Sequence, residues 1–167
     1  SYFYFDALNR MFSQLSPVGG ATYYAFDAVG RRKSVKDPVG RLSYFYFDTL
    51  NRQQAVEDGL QKRTYFEYDA VGNTLSIKNP RRADVSPAEV GIQYFTYDAL
   101  NRRNSAKDEV AQTWYYDYDA ASNLQVQRNP RAALTYWEYD VLNRKQSQKD
   151  PLGRAWYWTY DGVGSVS

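Results

Sequence analysis

The chain contains no cysteine and no histidine. Without cysteine there is no disulfide framework and no thiolate metal site. Without histidine the commonest general base and the commonest metal ligand are both missing. No stretch approaches the about 18 consecutive apolar residues that a membrane-spanning helix needs, and no signal-peptide pattern opens the chain. Charge of one sign is lacking too. Twenty-one basic and 19 acidic side chains leave a formal charge of +2, so there is no electrostatic reason to expect a nucleic acid or an anionic membrane as partner. Methionine occurs once, whereas tyrosine occurs 17 times, and aromatics make up 17% of the chain. Aromatic side chains favour strands, and tyrosine keeps a polar tip for water or a hydrogen-bond partner. The composition predicts sheets with thin, partly wet faces rather than a thick aliphatic core.

What is present is a repeat, the signal that decides the fold when it exists. Aspartates recur at Asp6, Asp27, Asp48, Asp69, Asp98, Asp119, Asp140 and Asp161, at intervals of 21 residues with one interval of 29. An eight-residue insertion within 81–91, of exposed-loop composition, accounts for the exception. Counting from each aspartate, position −4 is always tyrosine: Tyr2, Tyr23, Tyr44, Tyr65, Tyr94, Tyr115, Tyr136 and Tyr157. Position −3 is always aromatic, position −1 is Phe or Tyr, and position −2 varies. Alternate residues of a strand share a face. One face therefore carries two rings per strand and is expected to be firmly buried. The other carries the fixed tyrosine beside a variable, often polar residue.

The aspartate opens a turn, as in Asp6-Ala7-Leu8-Asn9 and Asp27-Ala28-Val29-Gly30. Aspartate at the first position accepts bonds from the backbone ahead of it, and Asn or Gly at the fourth tolerates the left-handed conformation of a bulged hairpin. About ten residues on, a second turn repeats this grammar, often with proline second: Asp37-Pro38-Val39-Gly40, Asp150-Pro151-Leu152-Gly153, Ser16-Pro17-Val18-Gly19. Each unit reads strand, turn, strand, turn. The prediction is an all-β, continuous antiparallel meander over 1–167, a single array of eight units curling into a shell, barrel or tube wall. Leu-Asn and Val-Gly alternate in successive first turns, with Ala121-Ser122 once in place of Val-Gly. A four-stranded, 42-residue unit and hence a propeller blade is the rival architecture, disfavoured because the paired hairpins are nearly identical. The ends fall within a repeat, and the expectation is that the chain is an excerpt or a processed product.

The run Tyr65 to Pro80, with the Asp-Ala-Leu-Asn-Arg and Asp-Pro-Leu-Gly-Arg segments, resembles the YD (tyrosine–aspartate, or Rhs) repeat along essentially the whole chain. The resemblance implies long β-ribbons that spiral into hollow shells, which enclose a toxin domain in bacterial members and serve adhesion in animal teneurins. The family's self-cleaving core region and a toxin-like domain have no counterpart in this sequence, so processing and toxicity are not carried over.

The functional expectations are these. The eight aspartates cap turns rather than hold calcium, because equivalent residues on alternate strands lie about 9.6 Å apart, too far to share an ion bound at 2.3–2.6 Å. The tyrosine ladder is packing first and a sugar-stacking surface second. Arg10, Arg31, Arg52, Arg102 and Arg144, which follow the first turn, pair with turn carboxylates. A carboxylate pair such as Asp117 and Glu138 is all that catalysis could rest on, so no enzyme, no cofactor and no metal is expected. The expected role is the wall of a secreted or cell-surface shell, tube or filament. The expected partners are further copies or a longer repeat chain, with an enclosed polypeptide or a glycan as alternatives, and neither nucleic acid nor a membrane span.

Overall fold

The structure is a computed structural model that describes residues 1–79 and 91–166, so most of the 81–91 insertion lies outside the described residues. Fifteen strands are described. They are β1 (Tyr2–Phe5), β2 (Met11–Leu15), β3 (Ala21–Phe26), β4 (Arg32–Lys36), β5 (Leu42–Phe47), β6 (Gln53–Glu57), β7 (Arg63–Tyr68), β8 (Thr74–Lys78), β9 (Ile92–Tyr97), β10 (Arg103–Lys107), β11 (Thr113–Tyr118), β12 (Leu124–Arg128), β13 (Leu134–Tyr139), β14 (Lys145–Lys149) and β15 (Ala155–Tyr157). They form one antiparallel sheet whose strand order is the chain order, and β1 and β15 do not pair with each other. The meander is therefore as predicted, and the propeller alternative falls. Two compact units divide the chain, Ser1–Gly91 with β1 to β8 and Ile92–Ser167 with β9 to β15.

The turns explain why the strands stop where they do. The fourth residue of each turn, where it is described, has positive φ, from 58° at Asn9 to 100° at Gly72. Its N–H donates to the carbonyl of the turn's first residue, as from Asn51 to Asp48 at 3.1 Å. The first residue's N–H donates to the carbonyl of the fifth, closing the hairpin at 2.9 Å for Asp48 and Arg52. The same bond joins Asn79 to the Gly91 carbonyl at 3.0 Å, at the base of the insertion. Glycine and asparagine take the left-handed conformation at little cost, but Gln61, Ala111, Ser122 and Ala132 also adopt it.

The two edges differ. The seven hairpins closed by the repeat aspartates from Asp6 to Asp140 each contain a bulge. In β5 and β6 Tyr46 opposes Ala55 but Phe47 opposes Gln53, skipping one residue, and the same shift recurs in β1–β2, β3–β4 and β13–β14. Hairpins at the opposite edge run in unbroken register, as in Ala55↔Tyr65, Val56↔Thr64 and Glu57↔Arg63.

One expectation is corrected. The face carrying positions −3 and −1 is half-buried, not firmly buried, since among the described residues no second layer covers either face of the sheet. Among the described residues Ala55 is the only buried hydrophobic residue, at 3% exposure, and no large side chain is fully buried. The accessible surface is 11623 Å² for 19.4 kDa, whereas an ordinary globular protein of that mass exposes about 8,500 Å². Rings stabilise this sheet by covering one another and the backbone rather than by forming an interior.

Candidate functional site

The repeated chemistry lies at the edge formed by Asp6, Asp27, Asp48, Asp69, Asp98, Asp119, Asp140 and Asp161. In Asp48, Oδ1 accepts the N–H of Leu50 and of Arg52, each at 2.9 Å, and Oδ2 accepts the Arg52 Nε at 2.7 Å. Asp27, Asp98 and Asp140 make the same bonds with Arg31, Arg102 and Arg144, and Asp6 makes them with Arg10. Asn73 and Asn123 replace the arginine and donate their side-chain amides to Asp69 and Asp119 at 2.8 and 2.9 Å. Asp161 accepts the N–H of Val163 and of Ser165. Both carboxylate oxygens of most of these aspartates are thus engaged within their own turns.

These bonds hold the carboxyls of Asp6, Asp27, Asp48, Asp69, Asp98, Asp119 and Asp140 below their ordinary value of 3.8. At Asp6, Asp98 and Asp140 the main cause is the backbone N–H of the arginine four residues on, followed by its guanidinium, against some desolvation. At Asp119 it is the Asn123 side-chain amide. At Asp27 and Asp48 desolvation is the largest single influence and acts upward, but the bonds from Arg31 and Arg52 together outweigh it.

The arginine does a second thing that the sequence reading missed. The guanidinium of Arg10 stacks on Phe26 at 4.8 Å, that of Arg31 on Phe47 at 4.7 Å, and that of Arg52 on Tyr68 at 4.8 Å. Arg102 and Arg144 stack on Tyr118 and Tyr160 at 4.8 and 4.3 Å. Each ring is position −1 of the following repeat. Arg52 and Arg102 also donate to the carbonyls of Asp69 and Asp119, at 2.7 and 2.9 Å. Four of the tyrosines at position −1 also donate their hydroxyls back to the preceding hairpin: Tyr68 to the Gln53 carbonyl, Tyr118 to Arg103, Tyr139 to Leu124 and Tyr160 to Lys145, at 2.7–3.0 Å. One residue therefore caps its own turn and grips the next. The signal was in the sequence as the joint recurrence of arginine at +4 and a ring at −1.

At the opposite edge successive turns come into direct contact. A Cβ on Gly20 would lie 2.6 Å from Pro38 Cβ, and one on Gly59 would lie 2.6 Å from Arg41 Cβ. The fifth residue of one turn thus abuts the second residue of the next, and one of the two must be glycine in these pairs.

The fixed tyrosines Tyr2, Tyr23, Tyr44, Tyr65, Tyr94, Tyr115, Tyr136 and Tyr157 share one face with position −2, here called the tyrosine face. Most are exposed, with Tyr65 at 43% and Tyr136 at 42%. Opposite them stand small residues at +7, seen in the pairs Ser13↔Tyr23, Ala55↔Tyr65 and Ser147↔Tyr157. Ser13, Ala55 and Ser147 of these pairs are buried, as is Ser76. Ser76 and Ser147 donate to Glu67 and Glu138 at 2.8 and 2.9 Å. Asp117 and Glu138 lie on this same face, on β11 and β13. Between β10 and β12 a shallow groove of about 340 Å³ is lined by Asn104, Ser105, Tyr115, Asp117 and Arg128 among others. Among the described residues, no group of three or more Asp or Glu side chains is placed to hold a metal ion.

An open antiparallel sheet of staple-linked hairpins defines the class. No protein-family model matches the sequence and no curated protein does, but solved structures do. The chain is similar to the crystal structure of TcdB2-TccC3, with a TM-score of 0.73 at 15% identity over 98% of this chain and 11% of that one. It is similar to TcdB2-TccC3-Cdc42, with a TM-score of 0.70 at 18% identity over 89% of this chain and 9% of that one. The chain thus spans about a tenth of the length of the chains it matches. The resemblance to the YD (Rhs) repeat holds at the level of fold.

Proposed function

We propose that this chain is a stretch of structural wall, of the shell type to which the TcdB2-TccC3 chains belong, and that it acts without turnover. The observation that supports this most directly is the arginine that caps its own turn while stacking on the ring of the next hairpin. It recurs from Arg10 to Arg144 and extends a sheet without any second layer. Such a wall is built by adding units, each contacting its neighbours. In this reading the wall stands outside the cell that makes it, its partners are further repeats, and what it encloses is a polypeptide.

Electron microscopy of the purified chain and of the native material tests the reading. Hollow particles support an enclosing shell, and tubes or fibres with a spacing set by hairpin pairs support a polymeric wall. Discrete particles with no wall-like continuation, or turnover of a glycoside abolished by Asp117→Asn, would sink it. A second reading, a glycan-binding surface, is favoured by the exposure of the fixed tyrosines. It requires binding that drops in Tyr65→Ala and Tyr136→Ala while the melting curve is unchanged.

A further inference from the structure

The two faces of the sheet differ in chemistry beyond the rings at −3 and −1. The paired-ring face is built from positions −5, −3, −1, +5 and +8, as the register pairs Tyr24↔Val35, Val35↔Ser43 and Phe26↔Arg32 place them. None of these positions in any repeat is Asp or Glu. The strand carboxylates, Glu57, Glu67, Asp117 and Glu138, all fall on the tyrosine face. Cations do occur on the paired-ring face. Arg103 lies 5.6 Å from the Phe95 ring and 5.4 Å from Tyr116, and Lys145 lies 5.9 Å from Trp137 and 5.6 Å from Trp158. The arginines at the bulged edge are paired with aspartate. Arg103 and Lys145 instead rest on ring faces, on a surface with no carboxylate among its strand positions.

Tryptophan is segregated as well. All four, Trp114, Trp137, Trp156 and Trp158, lie in the second unit and all are on the paired-ring face. Three of them surround β14. Trp137 on β13 and Trp156 on β15 both stand directly opposite Gln148, about 9.6 Å apart across two strand spacings. The N–H of Trp158 donates to the Gln146 carbonyl at 3.0 Å, which sets its ring beside Lys145. Two indoles thus flank Gln148, and Lys145 lies beside the rings of Trp137 and Trp158. Trp156 is 44% exposed. Tryptophan and cations on an uncovered apolar surface are the composition of an interface centre.

We propose that the paired-ring face of the second unit docks a polypeptide segment that carries carboxylates among apolar side chains, seated between Trp137 and Trp156 with an acidic group on Lys145. Charge complementarity selects the acidic partner, because this face offers cations without carboxylates. A second copy of the same face would set cation against cation. The inference goes beyond the wall reading, and the electron-microscopy outcome does not bear on it.

Because every tryptophan lies on this face, intrinsic tryptophan emission of the full chain reports on it directly. The probes are a short peptide alternating leucine and glutamate, its leucine–lysine counterpart, and a neutral β-linked glucose oligosaccharide. The expected result is a saturable emission change with the acidic peptide alone, weakened about tenfold or more by Trp137→Ala and by Lys145→Glu. Tyr115→Ala, on the other face, leaves the affinity unchanged. Lys145→Gln gives a smaller loss and guards against a folding defect in the charge reversal, with circular dichroism confirming the sheet in each variant. Equal binding of both peptides, binding of the oligosaccharide alone, an unchanged affinity in Lys145→Glu, or no binding at all would each overturn the proposal.

Discussion

Asp48 accepts two backbone N–H bonds and one guanidinium bond, and its counterparts at the bulged edge do much the same. The carboxyls of the seven from Asp6 to Asp140 are depressed, with Asp6 and Asp98 held down mainly by a backbone N–H and Asp119 by an amide side chain. A depressed carboxyl contributes stability that is fully present above its unfolded value and is lost as pH falls through the folded value. With no histidine to titrate, the melting temperature is expected to stay flat between about pH 5 and 8 and to fall below about pH 4. A melting temperature that drops between pH 8 and 5 would contradict this. The left-handed turn residues give a second test. Ala111 and Ala132 hold φ of 65° and 60°, a conformation that costs a non-glycine residue roughly 1–2 kcal/mol, partly offset by the entropy glycine loses on folding. Ala132→Gly is expected to raise stability by about 1 kcal/mol in a urea titration. Gly153→Ala, where φ is 81°, is expected to lower it by a similar amount.

Between elements, hairpins are joined differently at the two edges, and each joint can be broken by one change. Tyr139 donates its hydroxyl to the Leu124 carbonyl at 3.0 Å. Tyr139→Phe is expected to cost about 0.5–1.5 kcal/mol by chemical denaturation without unfolding the array, since Phe5, Phe26 and Phe47 occupy the equivalent position elsewhere. At the opposite edge, a Cβ on Gly59 would meet the Arg41 Cβ at 2.6 Å, an atom fixed to the backbone. Gly59→Ala is expected to cost about 1–3 kcal/mol. The Arg41→Gly, Gly59→Ala double variant should be more stable than the two single losses predict, because the clash is shared. Strict additivity in that cycle would show that the two turns do not touch.

For the whole molecule, the decisive feature is that no second layer covers either face of the sheet among the described residues. The heat-capacity change of unfolding reflects apolar surface newly exposed to water, and ordinary domains show about 12–15 cal/mol/K per residue. With Ala55 as the only buried hydrophobic residue among those described, calorimetry is expected to give a value clearly below that range. A value within it would mean that the faces are covered in solution, by association or by a bound partner. The same exposure underlies the wall reading: a sheet that leaves both faces open has surface for what lies on either side of it.

Much of this protein was legible in its sequence because the repeat is local. The 21-residue spacing of aspartates, the alternation of rings around them, and the Asn or Gly four places into each turn are all short-range information. They suffice to determine strands, turns, the antiparallel meander and the bulged hairpins, since backbone conformation and turn bonding are decided within a few residues. The tertiary structure decided what depends on register between strands. The bulge present at one edge and absent at the other sets which residue faces which. That register brings Arg52 onto Tyr68 rather than a nearer ring and sets a buried serine or alanine opposite Tyr23, Tyr65 and Tyr157. It also gathers the tryptophans on one face and the strand carboxylates on the other. It shows, too, that the two-ring face is only half-covered, because alternation says which residues share a face but not whether anything lies across from it.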